Sequence, residues 1–206
     1  GELDQAQQRL DQALKAATDP DSVGIAHYYL GLLAARREDM DTARYHWNQA
    51  LAAGFEAPHL SLNLGESYHR LTETNLKADK PAAAAEAARE ALHYKPGKRN
   101  LEMALSQAYQ RLGYQAATDG LWAEAREYWE RAYRLEDGSF RLIYNLALAY
   151  EKDGEYIEAA EAWRETLRRR PRRDDDPDAL DDAQIAQLWK RAAEAYVKAG
   201  EYDEAV

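Results

Sequence analysis

The feature that most constrains this chain is an internal repeat. A turn residue is followed two positions on by an aromatic or apolar residue, then three on by Ala. An aromatic or Leu comes four further on, and a small residue three after that. The copies read Gly1-Leu3-Ala6-Leu10-Ala13, Glu38-Met40-Ala43-Trp47-Ala50, Gly120-Trp122-Ala125-Trp129-Ala132 and Gly154-Tyr156-Ala159-Trp163-Thr166. Lys80-Pro81-Ala84-Ala88-Ala91 is a degenerate copy, and Gly200-Tyr202-Ala205 begins another. Steps of three and four put these residues on one face of a helix. The small residues let a neighbouring helix come close, and the aromatics fill the space beside them. A second pattern precedes each full copy: Leu30-Gly31-Ala34, Leu64-Gly65-Tyr68, Leu112-Gly113-Ala116, Leu146-Ala147-Tyr150 and Ala192-Ala193-Tyr196. It marks the other helix of a pair. Pro58, Pro96 and Pro171 fall where the second helix ends, because Pro cannot continue a helix interior.

Composition agrees with helix throughout. The 206 residues include only 11 Gly and 6 Pro, and Ala is abundant. With no Cys there is no disulfide framework, no thiol nucleophile and no Cys-containing zinc site. A formal net charge of −10 speaks against a phosphate-backbone partner, which calls for a basic face. No apolar run approaches the ~20 residues of a membrane span. The chain opens Gly1-Glu2-Leu3-Asp4, with no signal pattern, and stops at Ala205-Val206 within an amphipathic run. The expectation is therefore a fragment of a longer protein, cytoplasmic in location.

These residues resemble the tetratricopeptide repeat (TPR) family, whose 34-residue motif pairs a helix A carrying Leu-Gly and Tyr with a helix B carrying Gly, Tyr, Ala, aromatic, Ala and Pro. The match is closest over 140–173, through Leu146, Ala147, Tyr150, Gly154, Tyr156, Ala159, Trp163 and Pro171. Trp189, Ala192, Ala193, Tyr196, Gly200, Tyr202 and Ala205 fit a last, truncated copy, including the family's first-turn Trp. The resemblance implies an all-α fold, a right-handed superhelical solenoid of antiparallel helix pairs. About seven extra residues lie between Gly65 and Ala84, and a similar excess between Pro96 and Leu112. Seven residues are about two helical turns, so lengthened helices are expected over 58–78 and 98–118, packed on each other as a ridge. Helix B of a partial repeat is expected over 2–18. Pairs follow at 22–37 and 40–53, 58–78 and 81–94, 98–118 and 120–135, and 139–153 and 155–170, then a long helix over 179–199. The whole reads as one repeat domain: a partial repeat 1–21, repeats 22–56, 57–97, 98–138 and 139–173, an acidic insert 174–182 and a truncated repeat 183–206.

Motifs with chemistry are few. None of His27, His46, His59, His69 and His93 forms HExxH or pairs with another His at i, i+4. His27 reads as a core or boundary histidine, since a lone imidazole is a poor metal site. The aspartates 174–176, 178, 181 and 182 lack the Gly and closing Glu of a calcium loop. They read as a solvated loop that caps the next helix. The arginines 168–170, 172 and 173 suit a helix C-terminus, neutralised by the acidic run that follows. No GxSxG, P-loop or GxGxxG is present. No enzyme, metal or cofactor is expected. Trp47, Trp129, Trp163, Tyr156 and Tyr202 read as core. Tyr28, Tyr45, Tyr114, Tyr128, Tyr133 and Tyr144 read as candidates for exposure.

In the family, helix A lines a concave groove. Asn63 and Asn145 occupy its sixth position in the third and fifth repeats, where the resemblance implies an amide that holds a peptide backbone. Gln107 with Arg111, and Gln187 with Arg191, occupy the second and sixth positions of the fourth and sixth repeats. An Arg there could pair with a carboxylate; the alternative is plain helix-surface polarity. A two-carboxylate clamp is not complete, because Tyr28 and Leu32, or Gln110 and Tyr114, stand where the subfamily carries Lys and Asn. The leading expectation is a non-catalytic scaffold that binds a protein or peptide, with or without an acidic group, in that groove. The second is an assembly or self-association module acting through extended helices and repeat ends. A helical-repeat RNA binder is the third, disfavoured by charge.

Overall fold

The computed structural model describes residues 1–57, 59–94, 99–136, 139–171 and 179–205. Among them are ten α-helices, one 3₁₀ turn and no strand. The helices are α1 (Glu2–Ala16), α2 (Pro20–Arg36), α3 (Met40–Ala52), α4 (Leu60–Lys77), α5 (Pro81–Tyr94), α6 (Arg99–Thr118), α7 (Trp122–Leu135), α8 (Phe140–Asp153), α9 (Tyr156–Arg169) and α10 (Asp182–Ala199), with the 3₁₀ turn at Tyr202–Ala205. The all-α class and the pairing are as the repeat dictates. α4 has 18 residues and α6 has 20, against 17 in α2, 14 in α8 and 18 in α10, so α6 is the longest of the A helices among the described residues. The expected helix over 179–199 starts later, at Asp182. Pro58, Pro96, Arg172, Arg173 and the aspartates at 174–176 and 178 lie outside the described residues.

Caps set the helix starts. Asp19 accepts from the Ser22 amide at 2.8 Å, Asp39 from Thr42 at 3.1 Å and Ser139 from Leu142 at 3.3 Å. Asp181 and Gln184 form a reciprocal capping box. Each satisfies an amide that the first helical turn leaves without a partner. Between paired helices the chain turns through a left-handed residue: Gly120, Gly154 and Gly200, but also Glu38 (φ 62°) and Asp79 (φ 53°). Asp79, rather than the Lys80 that the repeat spacing selects, holds that turn.

The chain divides into two compact units, residues 1–74 with 86–101 and residues 75–85 with 102–206. In the first, Trp47 (2% exposed) packs with Ala34, Ala43, Ala50, Leu60 and Leu64, and Tyr28, Phe55 and Tyr94 close the edges. In the second, Trp163 (0% exposed) packs with Ala147, Leu167, Leu188 and Ala192, while Ala159, Ala160, Ala195 and Tyr196 form a neighbouring cluster. The small-residue crossings are tight. A Cβ on Gly31 would enter the Trp47 ring, and one on Gly113 the Trp129 ring. Trp129 and Trp163 are core, as the repeat requires. Tyr202 is not: it is 67% exposed. Its segment forms a 3₁₀ turn, and Ala205, not Tyr202, packs against the Tyr196 cluster. Trp189, in the family's first-turn place, is also exposed, at 55%. Of the tyrosines expected at the surface, Tyr45, Tyr114 and Tyr133 are exposed, while Tyr28, Tyr128 and Tyr144 are half-buried. No helix among the described residues is long and apolar enough to cross a membrane.

Candidate functional site

The six residues singled out on helix A faces fall in both units. Asn63 lies on α4 in the first unit, half-buried. Gln107 and Arg111 on α6, Asn145 on α8, and Gln187 and Arg191 on α10 lie in the second. There the sixth-position side chains follow one rule: each reaches back to the preceding repeat. Arg111 Nη1 donates to the Leu76 carbonyl at 2.6 Å and to Asp79 Oδ1 at 3.0 Å. Asn145 Nδ2 donates to the Tyr114 hydroxyl at 2.7 Å. Arg191 Nε donates to Glu151 Oε2 at 3.1 Å, and its guanidinium lies 4.4 Å from the centre of the Trp163 ring. Gln107 and Gln187 are exposed.

Each rung has a local cause. Leu76 is close to the C-terminus of α4, where carbonyls have lost their helical partners, and a cation suits that end of the dipole. Glu151 accepts from Trp163 Nε1 at 3.1 Å as well as from Arg191, so the indole is satisfied on one side and covered by a cation on the other. The arginines expected to wait for a ligand carboxylate already hold protein acceptors. The partners Asp79, Tyr114 and Glu151 were missed by sequence reasoning. Tyr114 and Glu151 stand on helix A faces one repeat earlier, which is the signal that locates them.

Arg191→Ala is expected to lower the free energy of unfolding by about 1–2 kcal/mol, the scale of a half-buried hydrogen bond to a charged group. Glu151 keeps its Trp163 bond in that variant, which limits the loss. Urea denaturation checks the figure.

Other charged side chains are committed to local pairs. Arg168 and Arg169 both bind Glu165 one turn earlier, and Arg168 bonds hold that carboxyl down at about 2. Arg170 donates to the Leu167 carbonyl. Two cations of this run are thus paired from within their own helix by one carboxylate. Tyr150 is pushed up to about 12, chiefly by burial and then by Glu130, whose carboxylate accepts from its hydroxyl at 3.0 Å.

His27 is not a lone imidazole. Its Nδ1 lies 2.9 Å from His46 Nδ1, with Tyr45 edge-on to His27. The two come from α2 and α3, 19 residues apart, so i, i+4 spacing does not reveal them. Among the described residues no three His, Asp or Glu gather as a metal site. Burial lowers both ring pKa values; for His46 the neighbouring His27 adds to this and Asp11 opposes it. A lowered pKa keeps the rings neutral in the fold, whereas the unfolded chain takes up protons at the ordinary imidazole value of 6.5. The pair's contribution is full above that pH and is lost as pH falls below it. Melting temperature is expected to drop between about pH 6.5 and 5, and His46→Gln to flatten that part of the profile.

Antiparallel helix pairs joined by left-handed turns, crossing at small residues against Trp and tied by a side-chain ladder, define an α-helical repeat protein. Residues 1–58 match the tetratricopeptide repeat family, and the same pattern runs on through Ala205. Over that segment the chain is similar to the family, and its helical pairs continue beyond it. Over 101 residues it is 36% identical to the Photosystem I assembly protein Ycf3 of Synechococcus sp. (strain CC9605), covering 47% of this chain and 55% of that protein. It therefore spans about half the length of that relative. Among solved structures, MamA matches at 19% identity and TM-score 0.39 over 88% of this chain and 85% of the other. Pseudomonas aeruginosa PilF matches at 20% and 0.39 over 100% and 82%. YrrB, described as a TPR protein with an unusual peptide-binding site, matches at 19% and 0.35 over 92% and 84%. Scores of this size define no common arrangement of the repeats.

Proposed function

We propose that this protein is a non-catalytic interaction scaffold that receives a protein or peptide segment on the helix A face of α6, α8 and α10. One observation carries the reading: the same position on three successive A helices presents a half-buried guanidinium or amide, Arg111, Asn145 and Arg191. Asn145 still offers its carbonyl oxygen and the exposed Tyr114 hydroxyl beside it, so an extended backbone finds both donor and acceptor there. An acidic ligand group would compete with Asp79 or Glu151 for the arginines. A cytoplasmic location fits such a scaffold.

The test is capture from a source lysate by the wild-type chain and by the Asn63/Arg111/Asn145/Arg191 alanine variant, with bound proteins identified by mass. A partner lost in the variant while helicity stays intact is the expected result. A partner retained equally by both overturns the assignment of these residues. A second reading, a module for assembling other proteins, is favoured by the similarity to the Photosystem I assembly protein of Synechococcus; it would hold if the captured partner were a subunit of a larger complex.

A further inference from the structure

A groove of about 410 Å³ runs between the B helices α7 and α9 where they lie on α8. All three helices belong to the second unit, and each stands between two others in the chain. The apolar lining comes from Ile143, Leu146 and Ala162, and two tyrosines stand in the wall, Tyr150 and the 36% exposed Tyr133. The carboxylates of the groove fall into two sets. Glu130 and Glu165 are committed, Glu130 to Arg126, Arg134 and the Tyr150 hydroxyl, Glu165 to Arg168 and Arg169. Glu158 and Glu161 are exposed and have no hydrogen bond or ion pair among the described residues. Arg164, one turn on from Glu161, bonds Tyr196 and Glu204 instead. A spacing of three sets Glu158 and Glu161 side by side on one face of α9.

The fold itself shows what a tyrosine with carboxylates beside it holds. The guanidinium of Arg126 lies 6.0 Å from the centre of the Tyr150 ring and pairs with Glu130 at 3.4 Å and Asp153 at 2.8 Å. That of Arg131 lies 5.8 Å from the centre of the Tyr128 ring and pairs with Glu127 at 3.3 Å. Tyr133, Glu158 and Glu161 offer the same set of groups on one groove, yet no cation lies over the Tyr133 ring among the described residues.

We infer that this groove receives an arginine side chain of a protein partner, with the guanidinium held by Glu158 and Glu161 beside Tyr133 and the methylenes laid on Ile143 and Leu146. Charge complementarity selects a cation, because two carboxylates stand unpaired in a chain of formal net charge −10. The tyrosine selects arginine over lysine. A guanidinium is planar, stacks on a ring and takes a carboxylate through two parallel bonds, whereas an ammonium is more strongly hydrated. The apolar lining accepts the arginine stem, which buries along apolar surface while its head stays polar. The groove lies on the B-helix side of α8 and is independent of the helix A face proposed above, so either reading can fail alone.

The test is an NMR titration of the isotope-labelled chain with an alanine pentapeptide that carries one central arginine, beside the same peptide with lysine. Saturable shifts are expected on α7, α8 and α9 around Tyr133, Ile143 and Glu161, and added salt should weaken them. Glu158→Gln and Glu161→Gln are each expected to raise the dissociation constant about tenfold, and the lysine peptide to bind about tenfold more weakly than the arginine one. Both glutamates are exposed, so helicity should not change. Glu124→Gln removes the same charge from an exposed position of α7 outside the groove and should leave binding as in wild type. No saturable shift at millimolar peptide, shifts centred elsewhere, glutamine variants at 158 and 161 that bind as the Glu124→Gln chain does, or a lysine peptide that binds equally well would each overturn the inference.

Discussion

Replacing Trp163 by Ala is expected to lower the free energy of unfolding by about 3–5 kcal/mol, the range for removing a buried aromatic and leaving its cavity. The indole is fully buried and packs in one cluster with residues of α8, α9 and α10. Its face lies under Arg191, its edge meets Tyr144, and its Nε1 bonds Glu151. Loss of the ring leaves Ala147, Leu188 and Ala192 facing a void and takes the apolar floor from the Arg191–Glu151 rung. Trp163→Phe fills most of that void but removes the Glu151 hydrogen bond, so its cost should fall well below that of Ala. Urea unfolding followed by far-UV circular dichroism reads both. A loss under about 1 kcal/mol for Trp163→Ala would contradict the placement of this ring in the core.

The second large effect runs in the opposite steric sense. Gly113→Leu is expected to destabilise by about 3 kcal/mol, at the upper end for overpacking a tight core. A Cβ there meets the Trp129 ring, whose position is held by a hydrogen bond from Nε1 to the Gln110 carbonyl at 3.1 Å. The indole cannot simply turn away. Gly113→Ala isolates the conflict. In an exposed helix the change would gain about 1 kcal/mol in propensity, so a net loss there would measure the collision itself. Trp129→Phe combined with Gly113→Ala should recover part of that loss, because the smaller ring leaves room. No recovery would mean that the two residues do not meet.

The helices were legible because their period is written in small and aromatic residues. Gly31, Gly113, Trp47, Trp129 and Trp163 announce which faces meet, and the length of α6 follows from counting residues between them. The repeat places a turn at Glu38, but the left-handed turn at Asp79 was not legible, since Asp does not favour that backbone as Gly does. Tyr202 reads as packed because the motif packs it; among the described residues no further helix covers it. Of the candidate site, the positions of Arg111, Asn145 and Arg191 on one helix face were legible from spacing. Their commitment to Leu76, Asp79, Tyr114 and Glu151 was not. Those partners lie 31 to 40 residues away, on a preceding repeat, and periodicity within one helix carries no information about them. The His27–His46 pair escaped for the same reason.

The binding face proposed above is that of α6, α8 and α10. Hydrogen exchange of the chain, free and saturated with a captured partner, tests it most directly. Amides of a helix that is only contacted through its side chains slow when that helix is held more firmly, so protection is predicted on α6, α8 and α10, centred on the turns that carry Arg111, Asn145 and Arg191. Protection confined to α7 and α9, with those three helices unchanged, would contradict it.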